Sequence, residues 1–213
     1  MSRDLYVCMI DLEKFKSVAG SGDRELLERV LHDRQDLIAA HDEDYRESWP
    51  LESYTPLSVA LGQIITGTID PGLTPRFQFE HAVALLADAL GEPLETIAFL
   101  ETRAPFWEEI NRVIRQRSRA ARLPDSDWPT LDELLERGPL LEVPIDPSLR
   151  LGTGYLTGGE IERAAAAVAC VDLESTEGLD NLTWPEEALE AAEEYRGWLR
   201  EAASRRLGLF FHC

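Results

Sequence analysis

The sequence predicts an α+β fold, a single helix-rich domain with a small mixed or antiparallel sheet that includes the N- and C-terminal strands. Three observations predict it. Near the start, Leu5-Tyr-Val-Cys-Met-Ile10 is a short apolar run of strand-forming residues. At the end, Gly208-Leu-Phe-Phe-His212 is a second, aromatic run that would not hang in water. Between them, most segments carry apolar residues at helical spacing. The chain has 213 residues, 44 % of them hydrophobic, which suits one core and one domain, residues 1–213.

The elements follow in order. Residues 5–10 read as a buried strand. Ala19-Gly-Ser-Gly-Asp23 then breaks the chain. From Arg24, Leu26, Leu27, Val30, Leu31, Leu37 and Ile38 form one helical stripe ending near His41. The polar and aromatic stretch Asp42 to Pro56 reads as a loop, with Trp49-Pro50 inside it. Leu57 to Ile65 predicts a helix stopped by Thr66-Gly67, and Asp70-Pro-Gly72 with Thr74-Pro75 a turn region. Gln78 to Leu90 predicts a helix with Gly91 beyond its end. Pro93 would open a short helix through Leu100.

A helix from about Pro105 places Phe106, Trp107, Ile110, Val113 and Ile114 on one face. Arg112, Arg115, Arg119 and Arg122 project from the other. Arg117 falls on the apolar side, so fraying is expected just before it. Three capping boxes follow: Thr130-x-x-Glu133, Thr157-x-x-Glu160 and Thr183-x-x-Glu186. They predict helices over about 131–137, 158–170 and 185–206, the last with Pro185 in its first turn. Between the first two, Pro139, Pro144, Pro147, Gly152 and Gly154 exclude helix, and Leu140–Val143 and Leu151–Leu156 read as short strands. The C-terminal strand is expected beside the strand at 5–10.

Charge is the chain's largest departure from average. There are 40 acidic residues against 21 basic ones, a net charge of −19. That excess repels nucleic-acid backbones and acidic membrane surfaces, so neither is an expected partner. The charge is also unevenly placed. Residues 125–194 hold 18 acids and three arginines, whereas 112–122 hold five arginines and no acid. The acids read first as solvated helix faces and first-turn dipole partners, with Glu108 four residues before Arg112 and able to pair with it. Beyond that, the acidic run suits a basic partner. The arginines suit an anionic ligand, or an acidic segment of their own fold.

Little in the sequence nominates a reaction. Cys8, Cys170 and Cys213 give neither a disulfide framework nor a zinc motif. Sparse cysteines, an acid at Asp4 where a leader would turn apolar and the lack of any membrane-length apolar window predict a cytoplasmic protein. His32, His41, His81 and His212 lack metal-ligand spacing, and His41-Asp-Glu-Asp44 reads as the polar end of a helix. Gly152-Thr-Gly154 and Gly20-Ser-Gly22 stop short of any phosphate-binding pattern. His212 and Cys213 are adjacent, and neighbouring strand residues point to opposite faces. No catalytic residue, metal or cofactor is expected. The four arginines are the candidate anion- or partner-binding residues.

The two ends resemble the YfbM-like family, in its actinobacterial-type relatives. The resemblance rests on Leu5–Leu12 with Gly20-Ser-Gly-Asp23, and on Gly154-Tyr-Leu-Thr157 with Glu160. It also rests on Tyr195-Arg-Gly-Trp-Leu199 and on the closing Gly208–His212. It implies a small mixed α+β fold of unknown function and carries over no catalytic residues. The expected function is a non-enzymatic protein-binding or immunity- or inhibitor-type module engaging a basic partner. The alternative is a small, hydrolase-like enzyme. Oligomeric state is left open.

Overall fold

A computed structural model describes residues 2–3, 5–48, 55–70, 77–97, 102–144 and 152–213. It is an α+β protein, helix-rich, with both terminal strands in a four-stranded antiparallel sheet. The chain divides into two compact units. One comprises Met1–Ile10, Glu92–Gly138 and Gly152–Cys213; the other comprises Asp11–Gly91 and Pro139–Leu151.

The first unit holds the sheet. β1 (Ser2–Arg3) pairs with β4 (Thr102–Arg103) as a separate two-stranded ribbon. β2 (Tyr6–Ile10), β3 (Glu92–Pro93), β5 (Thr153–Leu156) and β6 (Gly208–His212) form the main sheet in the order β3-β2-β6-β5. The two ends pair in full register, Tyr6 with His212 through Ile10 with Gly208. Val7, Met9, Leu156, Leu209 and Phe211 enter the core on one face, while Cys8, Ile10 and Phe210 are buried on the other. Burial on both faces explains why β2 and β6 read as continuous apolar runs rather than alternating ones. Each such side chain contributes about 1.5–3 kcal/mol. At the rim, Tyr6 stacks on His212 with centroids 5.0 Å apart.

Against the core face lie α6 (Ala104–Ala120), α7 (Leu131–Leu135), α8 (Gly158–Val168) and α9 (Pro185–Arg205). α9 packs on both α6 and α8. Both earlier capping boxes form. The Thr130 and Thr157 hydroxyls accept from the amides of Glu133 and Glu160, and each glutamate accepts its threonine's amide at 2.8 Å.

The second unit is α1 (Leu12–Val18), α2 (Arg24–Asp33), α3 (Gln35–Ser48), α4 (Leu57–Thr66) and α5 (Phe77–Leu90). α4 and α5 pack together through an apolar set that includes Leu61, Ile64, Ile65, Val83 and Leu86. Gly67 ends α4 at φ 70°, and a Cβ there would sit 2.9 Å from Gly20 Cα, so a side chain is excluded on both counts.

Several expectations need correction. The helix expected from Arg24 to His41 is broken at Arg34 (φ −114°, ψ 18°) and resumes as α3. α3 then runs on to Ser48, so Asp42–Ser48 is helix rather than loop, because polar residues without Gly or Pro do not stop a helix. The rest of that expected loop, 49–54, and most of the Pro71–Pro75 turn lie outside the described residues. Pro93 opens no helix. It pairs with Cys8 at the sheet edge, where a missing N–H is tolerated; the expected helix end at 98–100 lies outside the described residues. Leu140–Val143 forms no strand between its two prolines. Last, Thr183 does not cap α9. The N-cap is Trp184, with no side-chain cap bond, and Pro185 opens the helix.

Candidate anion site

The arginine face follows from the composition of α6. Trp107, Ile110, Val113 and Ile114 are buried, which turns the positions between them outward. Arg112, Arg115, Arg119 and Arg122 are all exposed. Arg112 pairs with Glu108 at 3.6 Å, as its spacing predicts; both are exposed, so the pair is worth a few tenths of a kcal/mol. Arg122 stands just past the helix at φ 58°, away from the lining of the cavity described next. Arg117 does not fray the helix. Its guanidinium turns inward and donates to the Ser175 carbonyl.

Arg115 and Arg119 come together with Ser118 on one side of α6, at the one-turn spacing that aligns side chains. They line a cavity of about 80 Å³ whose other walls are Trp128, Thr130 and Glu133. Among the described residues, no acid of the 125–194 segment lies within ion-pair distance of either guanidinium. Among the described residues, Glu133 is the acid of that run that shares their cavity, and it makes no ion pair with them within 4 Å.

The opposite wall is fixed in place by four contacts. Asn111, buried on α6, accepts the Leu131 amide at 2.9 Å. Trp107 donates to Asp132 at 2.8 Å. The buried Tyr195 hydroxyl donates to the Pro129 carbonyl at 3.2 Å, and desolvation pushes that phenol well above its ordinary pKa. The Thr130–Glu133 capping box completes the set. A wall pinned this way keeps its polar groups aimed without paying their ordering cost on binding.

Two buried polar groups of the cavity residues are unmatched. Ser118 is 2 % exposed and Trp128 1 %. Neither Ser118 Oγ nor Trp128 Nε1 has a hydrogen-bond partner among the described residues. An indole N–H is a donor only, and a buried donor left unpaired costs about 1–3 kcal/mol. The exposed Arg115 and Arg119 guanidiniums thus border a space large enough for a few waters or one small oxyanion, while the Ser118 and Trp128 polar atoms present it no accessible surface. Glu133 contributes the one carboxylate.

The histidines lie elsewhere. His41, Tyr45 and His81 form an aromatic cluster between α3 and α5, with His41 4.4 Å from His81 and 4.6 Å from Tyr45 between centroids. The Tyr45 hydroxyl lies 3.2 Å from His81 Nε2. His41 is mid-helix, not at a helix end as expected. Burial holds its pKa below the ordinary value, against the opposing pull of Asp42 and Asp44. Among the described residues no three His, Cys, Asp or Glu side chains are placed to hold a metal ion.

Two of the four arginines singled out by periodicity thus share a cavity. Ser118 was legible from the same periodicity, one turn before Arg122 and one after Arg115. Trp128, Thr130 and Glu133 were not, because tertiary packing brings them there; the only local signal was a tryptophan two residues before a capping box.

Comparison with known proteins finds one family. The model of a domain of unknown function, DUF7691, matches residues 1–213, and the chain belongs to that family. No YfbM-like relationship accompanies the match. No curated protein and no solved structure matches the chain.

Proposed function

We propose, for a chain of the DUF7691 family, that it is a non-enzymatic binding module that recognises an anionic group at the Arg115–Arg119 cavity. One observation carries the reading: the exposed guanidinium groups of Arg115 and Arg119, in no ion pair among the described residues, line one cavity of about 80 Å³. Binding is favoured over the hydrolase-like alternative by the chemistry of the lining. It includes two hydroxyls, Ser118 and Thr130, but no histidine or lysine to activate either, and the Thr130 hydroxyl is engaged by the Glu133 amide. The sparse cysteines suit a reducing compartment, the cytoplasm. Kinship with the YfbM-like family remains a proposal that rests on the end motifs alone.

The test is thermal unfolding in phosphate, sulfate and formate against chloride at equal ionic strength. An oxyanion should raise the midpoint saturably in the native protein and in Arg112→Gln, whose side chain lies outside the cavity. The Arg115→Gln/Arg119→Gln double variant should lose the shift. If no oxyanion moves the midpoint, or the double variant responds like the native protein, the reading fails.

A second reading keeps the basic partner. Its support is that Glu162, Glu174, Glu177, Glu186, Glu187 and Glu190 are all exposed. A cationic probe such as polylysine would then bind with an affinity that falls steeply between low and physiological salt. A salt-independent or absent interaction removes this reading.

A further inference from the structure

We propose that α3 is an acid-released latch: proton uptake by His41 frees the helix from α5, turning about Arg34, while α4 and α5 stay packed. The device is separate from the anion cavity and does not depend on it.

α3 is held to its neighbours by little. Of its described side chains only Ile38 is buried; His41, Asp42 and Tyr45 are half-buried and the rest are exposed. A 14-residue helix with so little apolar burial belongs to the part of a fold that opens locally. Its start is fixed. The helical run breaks at Arg34, and the Arg34 guanidinium donates to the Asp88 carbonyl near the end of α5 at 3.2 Å. Beyond Ile38, two contacts hold the arm. The Asp42 carboxylate accepts the Leu57 amide at 2.9 Å, supplying the side-chain cap that Pro56 does not give α4. The His41 ring packs against His81 and Tyr45, with centroids 4.4 and 4.6 Å away, and the Tyr45 hydroxyl meets His81 Nε2 at 3.2 Å.

The His41 ring is seated as a neutral group. Both its nitrogens are shielded from solvent, and neither has a hydrogen-bond partner among the described residues. A neutral imidazole strands one N–H there; a protonated one strands two, beside a second imidazole. The ionisable groups around it are few. Asp42 and Asp44 on α3 pull toward protonation, and burial outweighs them. α4 has no titratable side chain. α5 carries His81, the fully buried Glu80 and, in its last turn, Asp88. α2 ends in the exposed His32 and Asp33, on the other side of the break. Once released, the imidazole regains water and takes its proton at about pH 6.5. Acid therefore binds the released state better than the latched one and shifts the population toward it. Release frees the Leu57 amide as well, while the apolar residues between α4 and α5, Leu61, Ile64, Val83 and Leu86 among them, carry nothing that titrates.

The experiment is amide hydrogen exchange, read by NMR on the full chain at pH 7.5 and pH 5.5, with each rate corrected for the intrinsic rate of its amide. The opening equilibrium of α3, read at residues 39–47, should rise about tenfold, the ratio for one imidazole that takes up its proton at about 6.5 only when released. The Leu57 amide should follow it. Amides at 60–65 and 82–87 should change by less than about twofold, because they do not share the local opening. His41→Phe keeps a ring against its neighbours and His41→Gln keeps a polar side chain. Neither titrates in this window, and both should hold the α3 ratio to within about twofold. A native α3 ratio below about twofold overturns the proposal. So does a full rise that persists in the two variants, which assigns the proton to another group. An equal loss of protection in α4 and α5 makes the opening global and overturns it too. If His41→Phe does not fold, His41→Gln alone decides.

Discussion

The carboxylate of Glu109 accepts the backbone amide of Trp184 at 2.7 Å, and with its other oxygen that of Thr183 at 2.8 Å. Glu109 is on α6, and the amides it takes open α9. One buried side chain therefore does for α9 what a local cap does for α7 and α8. The arrangement also explains why the third capping box never forms: the Thr183 amide, which Glu186 would have to accept, is already committed. α6 thus presents arginines outward at 112, 115 and 119, and anchors the longest helix inward at 109.

Removing that anchor should be expensive. Glu109 is 5 % exposed, and Glu109→Ala strands two amide donors. The expected loss is about 2–3 kcal/mol, from two charge-assisted hydrogen bonds, read as the urea midpoint with an unchanged slope. Glu186→Ala, on an exposed side chain, should stay within about 0.5 kcal/mol. The reverse order would mean that Glu186 is the cap after all.

The pattern of what was legible follows from range. The boxes at Thr130 and Thr157 are complete within four residues, and both form. The one at Thr183 was overruled by a residue 74 positions away, which no local pattern contains. Local pattern makes Pro93 a helix opener, yet β2, 85 residues earlier, offers it an edge to pair with. α1 went unread because Leu12, Phe15 and Val18 are only three apolar positions; its own cap is Asp11, which accepts from Glu13 and Lys14. In the candidate site, Arg115 and Arg119 came from helical periodicity. Trp128 and Glu133 come from a wall held by Asn111 and Tyr195, and that wall exists only once the core is packed.

Acid should loosen the protein through two glutamates. Burial pushes Glu109 up, but the Thr183 and Trp184 amides outweigh it and hold the carboxyl below the usual range. Glu160 is alike: burial raises it, and the Thr157 amide and hydroxyl, with Arg137, bring it below. A carboxyl depressed on folding stabilises fully above its unfolded pKa, about 4.3, and that contribution is lost as pH falls through the folded value. Denaturation midpoints at pH 6, 5, 4 and 3 should therefore drop mainly below pH 4.3. Glu109→Gln should show a shallower drop over that window. A parallel curve would remove Glu109 from the acid response.

His41 should act in a higher window. Burial lowers its pKa, the neighbouring Asp42 and Asp44 oppose, and Tyr45 and His81 face the ring. For a base the sign is that the unfolded chain takes up the proton first. Stability is full above about pH 6.5 and declines as pH falls through and below it. His41→Phe keeps a ring against Tyr45 and His81, and should flatten the stability profile between pH 7 and pH 5. Proton NMR of the His41 ring in the native protein should give a midpoint below 6.5. A midpoint above 6.5 would show that the two aspartates outweigh burial.

Two glycines should respond in opposite directions to the same methyl group. Gly154 is in β5, where an added Cβ would lie 1.9 Å from the Leu134 carbonyl oxygen and 2.5 Å from its carbon. Those atoms are backbone of α7, which the capping box and Asn111 hold in place, so neither side can yield cheaply. Gly154→Ala should cost about 3 kcal/mol or more, the upper range for overpacking. Gly197 is in the middle of α9, exposed, with nothing within 4 Å of an added Cβ. There the backbone is already helical, and alanine removes conformational freedom from the unfolded chain. Gly197→Ala should therefore stabilise by about 0.5–1 kcal/mol. Urea midpoints of the two variants read the difference. A neutral Gly154→Ala would place β5 farther from α7 than the backbone contact allows, and would loosen the Thr130–Glu133 wall of the anion cavity with it.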